Sequence, residues 1–193
     1  ATNGGLVSFS RYRPLTSYRI QYPGGFSWPT SLYMLDRCAL EQRFRMSANR
    51  ELVLVNTHNT AYDASGEIKK QEMAFIRNRY QQEAGKGSYV LLGGDWNQPP
   101  PGFQQRPDEN IPPGYTAQTL ADESLPKGFI PVFDSLSHTN RALLAPYIAG
   151  KTFTTLIDYF ITSPNVRILR VSTLDMQFRW SDHQPVMLTV ACN

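Results

Sequence analysis

Two uninterrupted apolar runs, Leu52-Val53-Leu54-Val55 and the stretch from Ser88 to Gly94, constrain this chain more than any other feature. Runs of β-branched and aliphatic residues without alternation suit central strands covered on both faces. Each stops abruptly in polar residues, the first at Asn56-Thr57-His58-Asn59 and the second at Asp95-Trp96-Asn97. Between them, Glu67 to Ala84 reads as a helix: Ile68, Phe75, Ile76 and Tyr80 recur at roughly helical spacing, and Gly85 and Gly87 stop it.

The remaining segments read as shorter strands. Leu6 to Ser10 and Thr16 to Tyr22 are rich in apolar, β-branched and aromatic residues. From Arg37 to Met46 the pattern alternates, with Cys38, Leu40, Phe44 and Met46 on the expected core face and Arg37, Glu41, Arg43 and Arg45 on the polar one. Phe129 to Leu136, Thr152 to Thr162, Arg167 to Leu174 and Val186 to Ala191 complete the set. Two stretches rich in Gly and Pro, from Tyr22 to Leu35 and from Gln98 to Lys127, carry no regular period. The class is α/β or α+β, one domain over residues 1–193 with a mixed, mostly antiparallel sheet system.

Composition narrows the function classes. At 193 residues, 41% hydrophobic and 18% charged, the chain has the profile of a globular domain with a sizeable core. No apolar run approaches the ~20 residues of a membrane-spanning helix. A net charge of +3 neither predicts nor opposes a polyanionic partner, and no stripe of Lys and Arg is visible. Cys38 and Cys192 cannot form a disulfide framework; one bridge and two free thiols are equally compatible with the sequence. A phosphate-cradling Gly-rich loop with Lys, a G-x-S-x-G elbow, an H-E-x-x-H helix and a C-x-x-C pair are all lacking.

Acidic, amide and imidazole groups gather at strand ends: Thr57-His58, then Asp95-Trp96-Asn97, then Ser181-Asp182-His183. A further acid, Asp158, lies within the apolar run Leu156-Ile157-Asp158-Tyr159-Phe160-Ile161, where a carboxylate is costly to bury without a cation, a His or a metal. Taken singly, each has an ordinary explanation in turn chemistry. Taken together and in this order, the set resembles the endonuclease/exonuclease/phosphatase superfamily, the DNase-I-like metal-dependent phosphoesterases. Five segments carry the resemblance: Ser10-Arg11, Asn56-Thr57-His58, Gly94-Asp95-Trp96-Asn97, Ile157-Asp158-Tyr159 and Ser181-Asp182-His183.

The resemblance implies a four-layer α/β/β/α sandwich and hydrolysis of a phosphoester by in-line attack of water, aided by Mg²⁺ or Mn²⁺. It implies Asp182 as a metal-side carboxylate, and His183 as a contact to the scissile phosphate or acceptor of the water's proton, its tautomer fixed by Asp158. Asp95 would orient or activate the water, Asn97 would bond a phosphate oxygen, and His58 would polarise the phosphate or assist the leaving group. Arg11 is the expected phosphate contact, with an exposed strand-end role the equal alternative. The substrate class stays open among nucleic acid, a phospholipid head group and a phosphorylated metabolite. Exposed aromatics in the irregular loop (Tyr22, Phe26, Trp28, Tyr33) would favour lipid, although packing of that loop accounts for them as well. His138 is expected in a surface loop.

One departure accompanies the resemblance. The family's Asn and metal-binding Glu come from strands that would precede Ala1, and Glu41, Glu51, Glu67 and Glu72 stand in no matching context. The expectation is therefore a domain lacking its early strands, completed by a missing N-terminal segment or a homo-oligomer, with weak or no activity alone. The alternative is a non-catalytic module that binds phosphate or a partner. Any targeting signal would lie upstream of Ala1, a start without Met that suggests a processed, trimmed or shortened chain; the compartment, secreted and periplasmic included, is left open.

Overall fold

The computed structural model describes residues 5–105, 110–113, 115–143 and 145–192. In chain order the elements are β1 (Thr16–Gln21), β2 (Cys38–Ser47), β3 (Arg50–His58), α1 (Glu67–Gly85), β4 (Tyr89–Asp95), β5 (Ile130–Val132), β6 (Asn140–Arg141), β7 (Thr154–Thr155), β8 (Asp158–Thr162), β9 (Val166–Thr173) and β10 (Val186–Cys192). Six strands form one mixed sheet in the order β1-β2-β3-β4-β8-β5, while β9 with β10 and β6 with β7 form two-stranded pairs. The two apolar runs become β3 and β4, parallel neighbours at the centre of the sheet, joined through α1. A parallel pair needs such a crossover, and the pair must then be covered on both faces.

That cover is asymmetric. On one face α1 packs Met73, Ile76 and Tyr80 against Val53, Val55, Val90, Leu92 and Ile161. On the other, the β9–β10 ribbon sets Val166, Ile168, Leu188 and Val190 over Leu52, Leu54, Tyr89 and Leu91. Helix, sheet and ribbon are three layers of the expected sandwich. Among the described residues, the ribbon pairs with no third strand, and no helix is long and apolar enough to cross a membrane. Cys38 and Cys192 are both free thiols.

Several strand expectations are corrected. Leu6 to Ser10 is irregular: no strand among the described residues pairs with it, Phe9 is 95% exposed, and the segment is held by a bond from Asn56 Nδ2 to the Val7 carbonyl at 2.9 Å. Propensity alone does not make a strand without a partner for its backbone. The run from Phe129 to Leu136 keeps regular pairing only over β5, and the run from Thr152 to Thr162 is broken into β7 and β8. Asp158 is therefore the first residue of a strand and not an interior one.

The alternation in β2 has the opposite sense to the one expected. Ala39 and Glu41 are fully buried beneath α1, whereas Met46 is exposed. Glu41 is tolerated there because Arg43 reaches its Oε1 at 3.0 Å and Arg79 its Oε2 at 2.9 Å. Arg43 continues to Glu83 of the helix at 2.8 Å, so an ion network replaces apolar contact between helix and sheet. In α1, likewise, Lys69, Glu72 and Glu83 are buried while Ile68 is only partly so.

Candidate active site

Strand register builds the site. β3 and β4 are in parallel register with His58 opposite Asp95, and β8 runs antiparallel to β4 with Asp158 opposite Asp95. Three polar side chains thus form one row across neighbouring strands, at the end where β3 and β4 finish and β8 begins. Two glycines permit this spacing. A Cβ on Gly93 would lie 2.6 Å from the Phe160 ring, and one on Gly94, at φ +151°, would lie 1.9 Å from the Thr57 carbonyl oxygen. Trp96 turns inward, buried and stacked on Tyr159, and its indole N–H donates to the Tyr159 carbonyl at 3.0 Å.

Asp95 and Asn97 meet in a tight turn and not along an extended segment, because Asn97 takes a left-handed φ of 51°. The Asn97 N–H donates to Asp95 Oδ1 at 2.8 Å, and its side-chain amide donates to the Asn59 carbonyl at 2.9 Å and to Asp95 Oδ2 at 3.3 Å. The turn chemistry and the site are one feature: the turn holds the carboxylate.

His183 arrives from the loop before β10. Its Nδ1 is 2.8 Å from Asp158 Oδ2, and its Nε2 is 3.9 Å from both Asp95 Oδ2 and Asp182 Oδ2. Burial opposes the charge on this imidazole, but the bond to Asp158 and the charges of Asp158, Asp95 and Asp182 carry its pKa up to about 9. His58 behaves oppositely. Its Nε2 lies 3.2 Å from Asp95 Oδ2, yet burial and the positive charges of Arg37 and His183 push it down to about 4. His58 is thereby biased to the neutral form and His183 toward the charged one. Burial, then the facing Asp158, pushes the Asp95 carboxyl up to about 6.

Asp95, Asp158 and His183 offer ligand atoms that all lie within 4.8 Å of one another, and Asp182 borders the same imidazole. Carboxylate oxygens clustered in this way suit a hard divalent cation such as Mg²⁺ or Mn²⁺. The strain of the Asp95–Asp158 pair is what such a charge would relieve, whereas His183 Nδ1 is already engaged with Asp158.

The row opens on a cavity of about 880 Å³ whose lining includes His58, Asp95, Asn97, Asp182 and His183. Asp158 supports it from behind, and Arg11 lies apart, exposed on the irregular N-terminal segment. His138 faces a different cavity and bonds Thr154 Oγ1 through Nδ1 at 2.6 Å. Four further lining residues escape sequence reasoning: Arg37, Lys69, Asn140 and Arg141. Arg37 counts only as a charge on a strand face and Lys69 only as a helix charge, and nothing around Asn140 and Arg141 marks the short β6. Apolar and aromatic wall comes from Tyr115, Phe153 and Leu143, with Tyr115 and Phe153 edge to face at 4.7 Å.

No protein-family model and no curated protein matches the sequence. Solved structures do. One is TDP2 of D. rerio complexed with single strand DNA product, at 17% identity and a TM-score of 0.60, over 93% of this chain and 68% of that one. Another is the endonuclease/exonuclease/phosphatase from Bacteroides vulgatus, at 16% identity and a TM-score of 0.62, over 94% of this chain and 66% of that one. A third is ANGEL2, a 2',3'-cyclic phosphatase, at 17% identity and a TM-score of 0.54, over 92% of this chain and 67% of that one. The fold is that of the endonuclease/exonuclease/phosphatase superfamily. This chain spans about two thirds of the length of these endonuclease/exonuclease/phosphatase structures.

Proposed function

We propose that the protein is a divalent-cation-dependent phosphoester hydrolase. The observation that carries the reading is the row His58–Asp95–Asp158 closed by His183, two imidazoles and two carboxylates around one point. Asp95, Asp158 and Asp182 are the carboxylates that would hold Mg²⁺ or Mn²⁺, which when bound supplies positive charge against the phosphoryl oxygens. The chain's own groups do the rest. Asp95, ionised above pH of about 6, orients the attacking water and accepts its proton. Asn97 holds the Asp95 carboxylate in place, with His58 Nε2 beside it at 3.2 Å. His183, whose charged form Asp158 favours, sits at the cavity wall and stabilises charge that develops on a phosphoryl oxygen. Arg37, Lys69 and Arg141 add positive charge around the cavity, balancing its acids toward an anionic substrate. Arg11 would reach phosphate only beyond this cavity.

A nucleotide phosphodiester is the substrate class the reading puts first, supported by the cationic and aromatic walls. The single strand DNA product with TDP2 and the 2',3'-cyclic phosphatase activity of ANGEL2 point the same way. The test is hydrolysis of bis(p-nitrophenyl) phosphate with Mn²⁺ or Mg²⁺, an EDTA control and the variant His183→Ala. The same assay with a phosphomonoester and a phospholipid analogue separates the three classes. Metal-dependent turnover abolished by EDTA and reduced by His183→Ala is the expected result; no turnover on any of the three substrates overturns it and leaves a phosphate-binding module.

A further inference from the structure

The imidazole of His183 is held at both nitrogens. Asp158 takes Nδ1, and Nε2, which faces the cavity, is met by Asn140 Nδ2 at 3.0 Å. This contact is built into the fold and is not a chance approach of a surface side chain. Asn140 and His183 form a β-bridge. On either side of it the Gln184 N–H donates to the Thr139 carbonyl at 2.7 Å, and the Arg141 N–H donates to the Asp182 carbonyl at 3.0 Å. The same short segment fixes the other partner of the ring, since Thr139 Oγ1 accepts the N–H groups of Ile157 and Asp158 at 3.1 and 3.0 Å. Residues 139–141 therefore stitch the start of β8 to the loop that carries His183.

We propose that Asn140 is a further positioning residue of this site: its side-chain amide caps Nε2 of His183 and fixes the plane of the ring between Asp158 and the cavity. The inference rests on the hydrolase reading for its catalytic consequence, though not for the geometry itself. An amide suits the task because its NH₂ can donate twice: Nδ2 meets Nε2 at 3.0 Å and the Asp182 carbonyl at 3.3 Å, which fits a ring whose proton is on Nδ1 toward Asp158. An aliphatic residue at this position would leave the ring free to rotate about its bond to Asp158. Misalignment of about an ångström at a reacting centre costs on the order of 100-fold in rate.

The experiment pairs ring spectroscopy with kinetics on the intact chain. With three histidines in the sequence, the ring nitrogens of His183 are assignable by ¹⁵N NMR against His183→Gln. Asn140→Ala is expected to displace the Nε2 resonance while the Nδ1 proton stays bonded to Asp158. It should lower kcat on bis(p-nitrophenyl) phosphate by about 10- to 100-fold with KM little changed. Asn140→Gln, which keeps the amide donor, should restore the Nε2 signal and part of kcat. It carries the test should the alanine variant fail to fold. An unmoved Nε2 resonance with unchanged kcat in Asn140→Ala, or an Nε2 signal and kcat left unrestored in Asn140→Gln, overturns the proposal. A wild-type protein that hydrolyses nothing, while its Nε2 resonance still depends on residue 140, removes the hydrolase reading and leaves the positioning role standing.

Discussion

The carboxylates of Asp95 and Asp158 stand opposite each other on antiparallel neighbours β4 and β8, with the imidazole of His183 set against both. Like charges directly across a ladder oppose folding. Here the cost falls on Asp95, whose pKa rises to about 6 through burial and the facing carboxylate, in that order.

Asp95→Asn is predicted to stabilise the protein while abolishing turnover. A carboxyl whose pKa rises on folding binds its proton more tightly in the folded state. Its contribution is fully present below pH 3.8 and is lost as pH rises through about 6. Thermal unfolding in EDTA at pH 7.5 should show the variant more stable by about 2 kcal/mol, or roughly 4–8 °C. At pH 3.5 the difference should vanish. A variant less stable than wild type at pH 7.5 would contradict the assignment.

Asp158→Asn is predicted to return His183 toward its ordinary pKa of 6.5. The raised value of about 9 means that the charged His183 stabilises the fold below pH 6.5, and that this contribution disappears as pH rises through 9. The alkaline limb of activity should move down accordingly, and kcat at pH 8 should fall by roughly 10²–10⁴. An NMR titration of the His183 ring in both proteins checks the first statement without relying on turnover.

Gly94→Ala is predicted to be among the most damaging single changes available. The new Cβ would sit 1.9 Å from the Thr57 carbonyl oxygen, which belongs to the ladder and cannot swing aside. A loss of about 3 kcal/mol or more is expected, read by urea unfolding. Gly66→Ala is the control. Gly66 also has a positive φ, 72°, but meets nothing within 4 Å, so it should cost only about 1 kcal/mol.

Glu41→Gln is predicted to destabilise without touching the chemistry. The side chain is fully buried, and Arg79 would be left without its counter-charge while Arg43 kept only Glu83 and Glu51, a loss of roughly 3 kcal/mol. Specific activity of the folded fraction should be unchanged, as measured at a temperature well below the shifted Tm.

How far the sequence carried can be judged from these same residues. The apolar runs ending in His58 and Asp95 announced two central strands with chemistry at their ends, because burial on both faces leaves a pattern that needs no knowledge of neighbours. The order of Thr57-His58, Asp95-Trp96-Asn97, Asp158 and Asp182-His183 led to the fold. The face of β2 was misread because Glu41 is buried by a network whose partners Arg79 and Glu83 lie some forty residues away, on a helix. Leu6 to Ser10 looked like a strand because propensity reports a single segment and pairing involves two. Asn140 and Lys69 were invisible as site residues for a related cause: their importance comes only from what β6 and α1 bring beside them. The Asp95–Asn97 turn was legible from its turn-forming residues alone, and that turn, not an extended segment, is what fixes the carboxylate.

The adjacent glycines of β4 act as gauges in two directions. Gly93 sets how closely the aromatic ring of Phe160 lies over the strand, and Gly94 sets how closely β3 approaches β4. Neither has a side chain to offer a substrate, yet Gly94 lets β3 close on β4 and so sets how near His58 comes to Asp95. Screening for activity would find both positions intolerant, and for different reasons: a side chain at one meets the cross-strand ring of Phe160, and at the other the backbone of β3. Part of the geometry of the site is thus encoded as two absent methyl groups, at positions that do not line its cavity.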